Sequence, residues 1–337
     1  MSFGINYLLI LILLTTSSHS WIKLESEKNI DLGIASPYQN FSSYSQEIPD
    51  SDETIEMIPI SGGEFNMGPF ENNKTQKVIL DPFWIGKFEI SWNQYELFVK
   101  DNIQTLDLSN SALKTDPAGD ADVFSIPTPP YVDMSFGMGK DGYPAISMTH
   151  YAAVMFTKWL YVKTGVFYRL PTEAEWEFTC KANHKDFKSL LTNGLLSQYA
   201  WFKENSDRKY HQIGEKKASD DGVHDLLGNV SEWTLDQYHA DYSEMFSEVV
   251  AENPFIKPET LYPRTVRGGS WVDDVDDLAC TRRIASNERW QRRDPQLPKS
   301  LWWLTDAPFV GFRIVRPKTP PGDQEIQHYW IEAMEAF

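Results

Sequence analysis

The sequence predicts an irregular α+β domain with more loop than regular structure. Three observations carry this: three segments hold helix start signals, several short β-rich stretches alternate with turns, and 20 prolines and 19 glycines punctuate 337 residues. Ser91 opens the first helix, with Gln94 three positions on to complete a capping box and Trp92, Tyr95, Phe98 and Val99 as its apolar face. Thr149 caps a second helix whose face is Ala152, Phe156, Trp159 and Leu160, with Gly165 as its stop. Thr172 and Glu175 form another capping box, opening a helix that carries Trp176 and ends near Cys180. Ile55 to Ile60 reads as a strand running into a Ser61-Gly-Gly turn. Thr265 to Trp271 and Phe309 to Val315 read as strand and turn, the latter as a closing strand. Between the first two helices lies an insert, Asp101 to Gly142, with Pro127, Pro129 and Pro130; a loop of that length usually has a function or no fixed order.

Composition limits the partners. The chain is 41% hydrophobic and 14% aromatic, enough to fill a sizeable core. A net charge of −17 argues against nucleic acid and against anionic membrane surfaces, since both need Lys and Arg to meet phosphate. Two cysteines, Cys180 and Cys280, make neither a disulfide scaffold nor a zinc site; whether they are bridged to each other is left open. The first twenty residues lack charge, and Tyr7 to Leu14 is an apolar run too short to span a bilayer. This reads as a signal peptide over 1–20, cleaved near Ser18 or Ser20, and predicts a secreted or periplasmic protein with no membrane span after cleavage. Residues 21–54 read as a linker or extended arm, 55–318 as the folded domain, and 319–337 as a proline-rich, then weakly helical tail. Asn40-Phe-Ser42, Asn73-Lys-Thr75 and Asn229-Val-Ser231 fit the glycosylation pattern. No nucleophile elbow, Walker loop or dinucleotide fingerprint is present, and no histidine pair has metal spacing among His150, His211, His224 and His239.

Five segments share an order with a known family: Ile60-Ser-Gly-Gly-Glu-Phe-Asn-Met-Gly68, Phe83-Trp-Ile-Gly-Lys-Phe-Glu-Ile-Ser91, Tyr168-Arg-Leu-Pro-Thr-Glu-Ala-Glu-Trp-Glu177, Leu227-Gly-Asn-Val-Ser-Glu-Trp233, and Arg267-Gly-Gly-Ser-Trp271 with Gly311-Phe-Arg313. Together, over about residues 55–317, they resemble the formylglycine-generating-enzyme, or sulfatase-modifying-factor, family. The resemblance implies a loop-rich variant of the C-type-lectin fold. It implies a structural calcium held by Asp225, the backbone oxygens of Gly228 and Val230, and Glu232, a donor set of hard oxygens that suits that ion. A second family calcium loop, about Trp201 to Gly214, looks shortened, and no ion is expected there.

Working members oxidise a cysteine in a sulfatase peptide to formylglycine with two copper(I)-binding cysteines, soft ligands for a soft ion. Aligned from the Gly268-Gly-Ser270 turn, the first cysteine position falls on Asp273 and the second on Leu278, so copper is not expected. Ser270 matches the family serine, Asp277 stands where a tyrosine is usual, and Ser231 where a groove tryptophan is usual. Cys280 lies two positions past Leu278. The candidate catalytic set is therefore Ser270, Asp273, Asp277 and Cys280, with Asp274, Asp276 and Asp236 as further carboxylates; another divalent metal at these aspartates is the alternative to a plain acidic loop. Ser231, Trp271, Trp302 and Trp303 are the candidate substrate-binding residues, because aromatic walls suit peptides or sugars. Arg267, Arg282, Arg283, Arg292 and Arg293 are candidate partners of the aspartates. The reading that results is an exported binding protein for a peptide or glycan, with a sulfatase as one candidate partner. A divergent metal-dependent enzyme or a true formylglycine-generating oxidase are the alternatives.

Overall fold

The computed structural model describes residues 40–71, 73–101, 127–183, 194–246 and 248–330, apart from the side chains of 323, 324 and 327. The expected signal peptide and most of the expected linker lie outside the described residues, as does 102–126 of the insert. Strands β1 (Tyr44–Glu47), β2 (Thr54–Ile60), β5 (Phe83–Gly86) and β11 (Val315–Pro317) form one sheet in the order β1-β2-β5-β11, antiparallel throughout. The folded unit thus starts before the expected boundary at 55. β1 runs alongside β2 with Tyr44 opposite Met57, and the Tyr44 hydroxyl hydrogen-bonds that of Tyr168 at 2.9 Å. A second sheet has the order β10-β6-β8-β9, from Val310–Gly311, Ser231–Gln237, Arg264–Arg267 and Arg283–Ala285. A third, β3-β4-β7, comprises Gly63–Met67, Gln76–Leu80 and Val250–Glu252.

The helices begin where capping chemistry places them. For α1 (Trp92–Lys100), the Ser91 side chain accepts from the Gln94 N–H while the Gln94 side chain accepts from the Ser91 N–H. For α2 (His150–Thr164), Thr149 accepts from the Ala152 N–H, and Gly165 closes the helix at φ 68°, a conformation that glycine adopts without a Cβ clash. For α3 (Glu173–Asn183), the Thr172 N–H donates to Glu175 at 2.8 Å and the Glu175 N–H donates to Thr172 Oγ1. The expected single apolar stripe of α2 is an underestimate: Ala153, Val154, Met155 and Tyr161 are buried too, because α1, the closing strands and α4 (Asp323–Trp330) surround it. Within the stretch read as a tail, α4 packs on the domain, with Trp330 buried against Tyr161 and Phe167.

The expected closing strand from Phe309 to Val315 is two short strands in different sheets. β10 runs parallel to β6, and β11 antiparallel to β5. The chain crosses between sheets at Phe312 and Arg313, both fully buried. Phe312 enters the aromatic core with Tyr95 and Phe156, while Arg313 turns to a carboxylate on β6, so no single sheet register accommodates the whole segment.

Candidate functional site

The site is built over a buried ionic layer. Arg267, at the end of β8, is fully buried and reaches two acids one turn apart on α3, Glu173 at 2.8 Å and Glu177 at 2.5 Å. Arg283 on β9 makes a paired contact with the same Glu173, at 2.5 and 2.9 Å. Burial works to raise the Glu173 carboxyl, but Arg283 and Arg267 outweigh it and hold it below the ordinary range. Arg313 clamps both oxygens of Glu232 at 2.6 Å, and the indole of Trp176 donates to the same carboxylate at 3.0 Å. Charges stripped of water are tolerable only when paired in this way. Arg267 and Arg283 therefore do not pair with the aspartates of the following loop. Arg282 does pair with Asp277, at 3.3 Å and largely in solvent, and Arg293 pairs instead with Asp306.

On this layer sits the Gly268-Gly269 turn, both residues at positive φ. A Cβ on Gly268 would lie 3.0 Å from the Leu226 carbonyl oxygen. The loop beyond it holds the expected catalytic set and does not assemble it. Ser270 is fully buried, and its hydroxyl donates to Asp273 at 2.6 Å. Burial raises the Asp273 carboxyl, opposed by this bond. Asp274 goes to Lys203 and Asp277 to Arg282, while Asp236 lies elsewhere, accepting from the backbone N–H groups of Glu173 and Ile256. Asp273, Asp274, Asp277 and Asp236 thus engage separate partners, and among the described residues no group of three or more His, Cys, Asp or Glu side chains, at this loop or elsewhere, is arranged to hold a metal without backbone oxygens.

Cys280 is also corrected. Its sulfur is bonded to Cys180 across 100 residues, and both lie in the second hydrophobic cluster with Trp176 and Leu278. A bonded sulfur offers no thiolate for catalysis or for copper. The two positions where the family would place its ligands are a carboxylate bonded to Ser270 and a fully buried leucine. These residues do not fit copper(I).

The turn at Asp225 is different. Asp225 is held at φ 54° with Oδ2 accepting from the Gly214 N–H at 2.7 Å, while its buried Oδ1 has no hydrogen-bond partner. Glu89, fully enclosed, receives only long contacts of 3.4 Å from the Val230 N–H and the Asn229 amide. Burial, then Asp225 and Glu232, push Glu89 well above the carboxylate range; burial, with Glu232 adding to it, raises Asp225 to about 6. Three buried carboxylates face one arginine, Arg313, which is committed to Glu232. One arginine for three buried carboxylates leaves the cluster short of positive charge, and burial with mutual repulsion holds Glu89 toward its protonated form. The expected ligand Glu232 has both oxygens occupied, whereas Asp225 and Glu89 have capacity to spare. Gly228 makes the turn tight enough, since a Cβ there would sit 2.2 Å from the Trp201 carbonyl oxygen. An orphaned buried carboxylate oxygen is one hard donor of the kind such a cation takes. Sequence reasoning missed Glu89; its signal was a lone acid within the apolar stretch from Phe83 to Trp92.

The expected binding aromatics are mostly core. Trp302 packs on Phe98 and Tyr151, and Trp303 on Trp92 and Tyr95, both nearly buried; Ser231 is fully buried as the first residue of β6. Trp271 is half-buried, its indole donating to the Pro308 carbonyl. Large rings in this position fill the space between α1 and α2 before they can serve a ligand. The histidines are structural: His150 is buried against Trp233, and burial lowers it well below its ordinary range; His211 stacks on Trp201 at 3.7 Å. Asn229 is buried with its amide engaged at both ends, which closes that glycosylation pattern.

Fold and turn together define a sulfatase-modifying-factor scaffold. The chain belongs to this family: residues 44–318 match the sulfatase-modifying factor enzyme 1-like domain. It is 25% identical over 244 residues to the serine/threonine-protein kinase pkn1 of Chlamydia pneumoniae, covering 69% of this chain but only 35% of that protein, so it spans about a third of that relative's length. It is 24% identical over 308 residues to the formylglycine-generating enzyme of Thermomonospora curvata, covering 76% of this chain and 92% of that enzyme. Among solved structures, Treponema denticola variable protein 1 superposes with a TM-score of 0.57 at 19% identity, over 82% of this chain and 99% of that one, a likeness of fold.

Proposed function

We propose that this chain is a copper-free member of the family that acts as an exported binding module for a peptide or glycan. One observation carries the reading: the positions for the two copper ligands hold Asp273 and Leu278, and the chain's only two sulfhydryl residues are bonded to each other. The scaffold under the site is intact, so the loss is confined to chemistry and leaves a shaped surface. Export is supported by the disulfide, which persists in oxidising compartments, and by the signal-like first twenty residues. Among the described residues no helix is long and apolar enough to cross a membrane. A structural calcium belongs to the same reading, at Asp225 with the backbone oxygens of Gly228 and Val230 and with Glu89 as the carboxylate beside Glu232. When bound it would supply positive charge to an anionic turn, holding Gly228 and Val230 against Trp201.

The test is a peptide array and a glycan array probed with the purified chain, with elemental analysis of the same sample. Saturable binding on one array, with calcium as the retained metal, is the expected outcome. Silence on both arrays would remove the binding reading, and a sample that retains no calcium when prepared in it would remove the cation.

A further inference from the structure

A cleft with exposed apolar walls lies among residues other than those of the Gly-Gly-Ser turn. It has a volume of about 380 Å³ and runs between the segment 130–136 and the segment 293–305. Its walls keep large apolar groups in water: Tyr131 is 75% exposed, Val132 55% and Phe136 40%. Leu297, 91% exposed, and Leu301, 45%, are adjacent in the chain to the lining residues Gln296 and Ser300. Leaving such area wet forgoes about 25 cal/mol per Å². Contiguous patches of this kind on soluble proteins usually mark interaction sites.

The cleft is pinned open rather than loosely formed. Trp303 at its floor is nearly buried and donates its indole N–H to the Thr128 carbonyl at 2.8 Å, tying down the first wall. Asp294, 6% exposed, accepts from the backbone N–H groups of Gln296 at 2.9 Å and Ser300 at 2.7 Å, tying down the second.

The second wall belongs to a locally basic stretch, of which Arg293 lines the cleft and Arg292 and Lys299 are chain neighbours of lining residues. The chain has 31 Lys and Arg against 48 Asp and Glu, yet residues 289–299 hold Arg289, Arg292, Arg293 and Lys299 against Asp294 alone. The Asp294 carboxylate is spent on backbone groups. Arg293 lines the cleft and contacts Asp306 at 2.6 Å, with its side chain still 65% exposed. Lys299 donates to the backbone carbonyls of Asp294 and Arg292, which leaves its charge unmatched. Arg289 and Arg292 are exposed and in no ion pair among the described residues.

We propose that this cleft docks an extended peptide in which acidic residues neighbour aliphatic or aromatic ones. The apolar walls take the apolar side chains, and Arg293 on the second wall, with Arg292 and Lys299 beside lining residues in the chain, attracts the acids. A nucleic acid or an anionic bilayer has the right sign for the basic stretch but would be repelled by the remaining surface of a chain of net charge −17. The proposal rests on the binding reading above and gives it a location and a ligand chemistry.

Fluorescence anisotropy tests it with a fluorescein-labelled synthetic peptide that alternates Glu with Leu and Trp. Two controls replace Glu by Lys or the apolar residues by Ser. The acidic apolar peptide should bind, more weakly as salt is raised, and both controls should bind at least about tenfold more weakly. Tyr131→Ser with Phe136→Ser should lose the same factor, and so should Arg292→Glu with Arg293→Glu. Only the charge-reversed variant should gain affinity for the Lys peptide. All four positions are solvent-facing, so unchanged thermal melts check folding. Equal binding of the three peptides, no binding of the acidic one, or binding untouched by both double variants would overturn the groove. If the parent chain still binds a peptide or glycan on the arrays, the binding reading survives that failure; if the arrays are silent, both fall.

Discussion

The ionic layer beneath the Gly268-Gly269 turn and the loop above it are a few residues apart in the chain and obey different constraints. Below, Arg267 and Arg313 in full burial and Arg283 nearly so meet Glu173, Glu177 and Glu232, and every charge has a specific partner. Above, Asp274 and Asp277 pair singly with Lys203 and Arg282 in solvent, where a pair contributes little. The lower layer cannot lose one member without taking a partner from another. The upper loop can change its chemistry while the fold stands. This is how a family scaffold can persist after its copper ligands are gone.

The comparison is most exposed to failure at Arg267. Arg267→Ala removes the cation shared by two buried carboxylates, leaving Glu173 to Arg283 and Glu177 to Lys181 and the Gly68 N–H, and should cost about 3 kcal/mol, measured by urea denaturation; a loss below about 1 kcal/mol would show that the layer is not what holds the turn. Next comes the bridge between the regions. Replacing Cys180 and Cys280 together by Ser should cost about 2–5 kcal/mol, because the bond closes a loop of 100 residues. If the double variant melts with the parent, the two sulfurs are not a structural link.

Chelation ranks third. Chelator should lower the melting temperature of the parent and leave Asp225→Ala unmoved; Glu232→Ala should be destabilised with or without chelator, because it strands Arg313. Equal chelator sensitivity in parent and Asp225→Ala would remove the cation from that turn.

The pH dependence follows from Asp236, held up to about 8 by burial first and Glu173 next. In the unfolded chain it titrates near the ordinary carboxylate value, so the native state binds the extra proton and this group's contribution to stability falls as pH rises from about 4 to 8. Asp236→Asn should flatten that decline, and the stability difference between parent and variant is the quantity to follow with pH. A difference independent of pH would contradict the burial of a raised carboxyl. The smallest effect belongs to the upper loop: Asp273→Ala removes one hydrogen bond from Ser270 and should cost about 1 kcal/mol.

What the sequence made legible were features with local chemistry. The capping pairs Ser91–Gln94 and Thr172–Glu175, the stop at Gly165 and the family segments all read directly, because a cap or a tight glycine turn depends on residues three or four apart. The misreadings lay at long range. Trp302 and Trp303 looked like a binding wall because a run of aromatics does not say which face the helices cover. Arg267 and Arg283 lie nearer in sequence to the aspartates than to α3, yet burial selects the glutamates 90 or more residues away. Glu89 shows locally only as one acid in an apolar stretch, and its meaning comes from Asp225 and Glu232, which the fold brings to it.

The exchange of the thiol pair for Asp273 and Leu278 is tested most directly by oxidation. The chain would be incubated with monovalent copper, oxygen and a Cys-x-Pro-x-Arg peptide, and the product captured by an aldehyde-specific aminooxy reagent and identified by mass spectrometry. No aldehyde above a copper-only control is expected, and no copper should be retained after desalting. Formylglycine produced at catalytic turnover would contradict the assignment of this chain as a copper-free member.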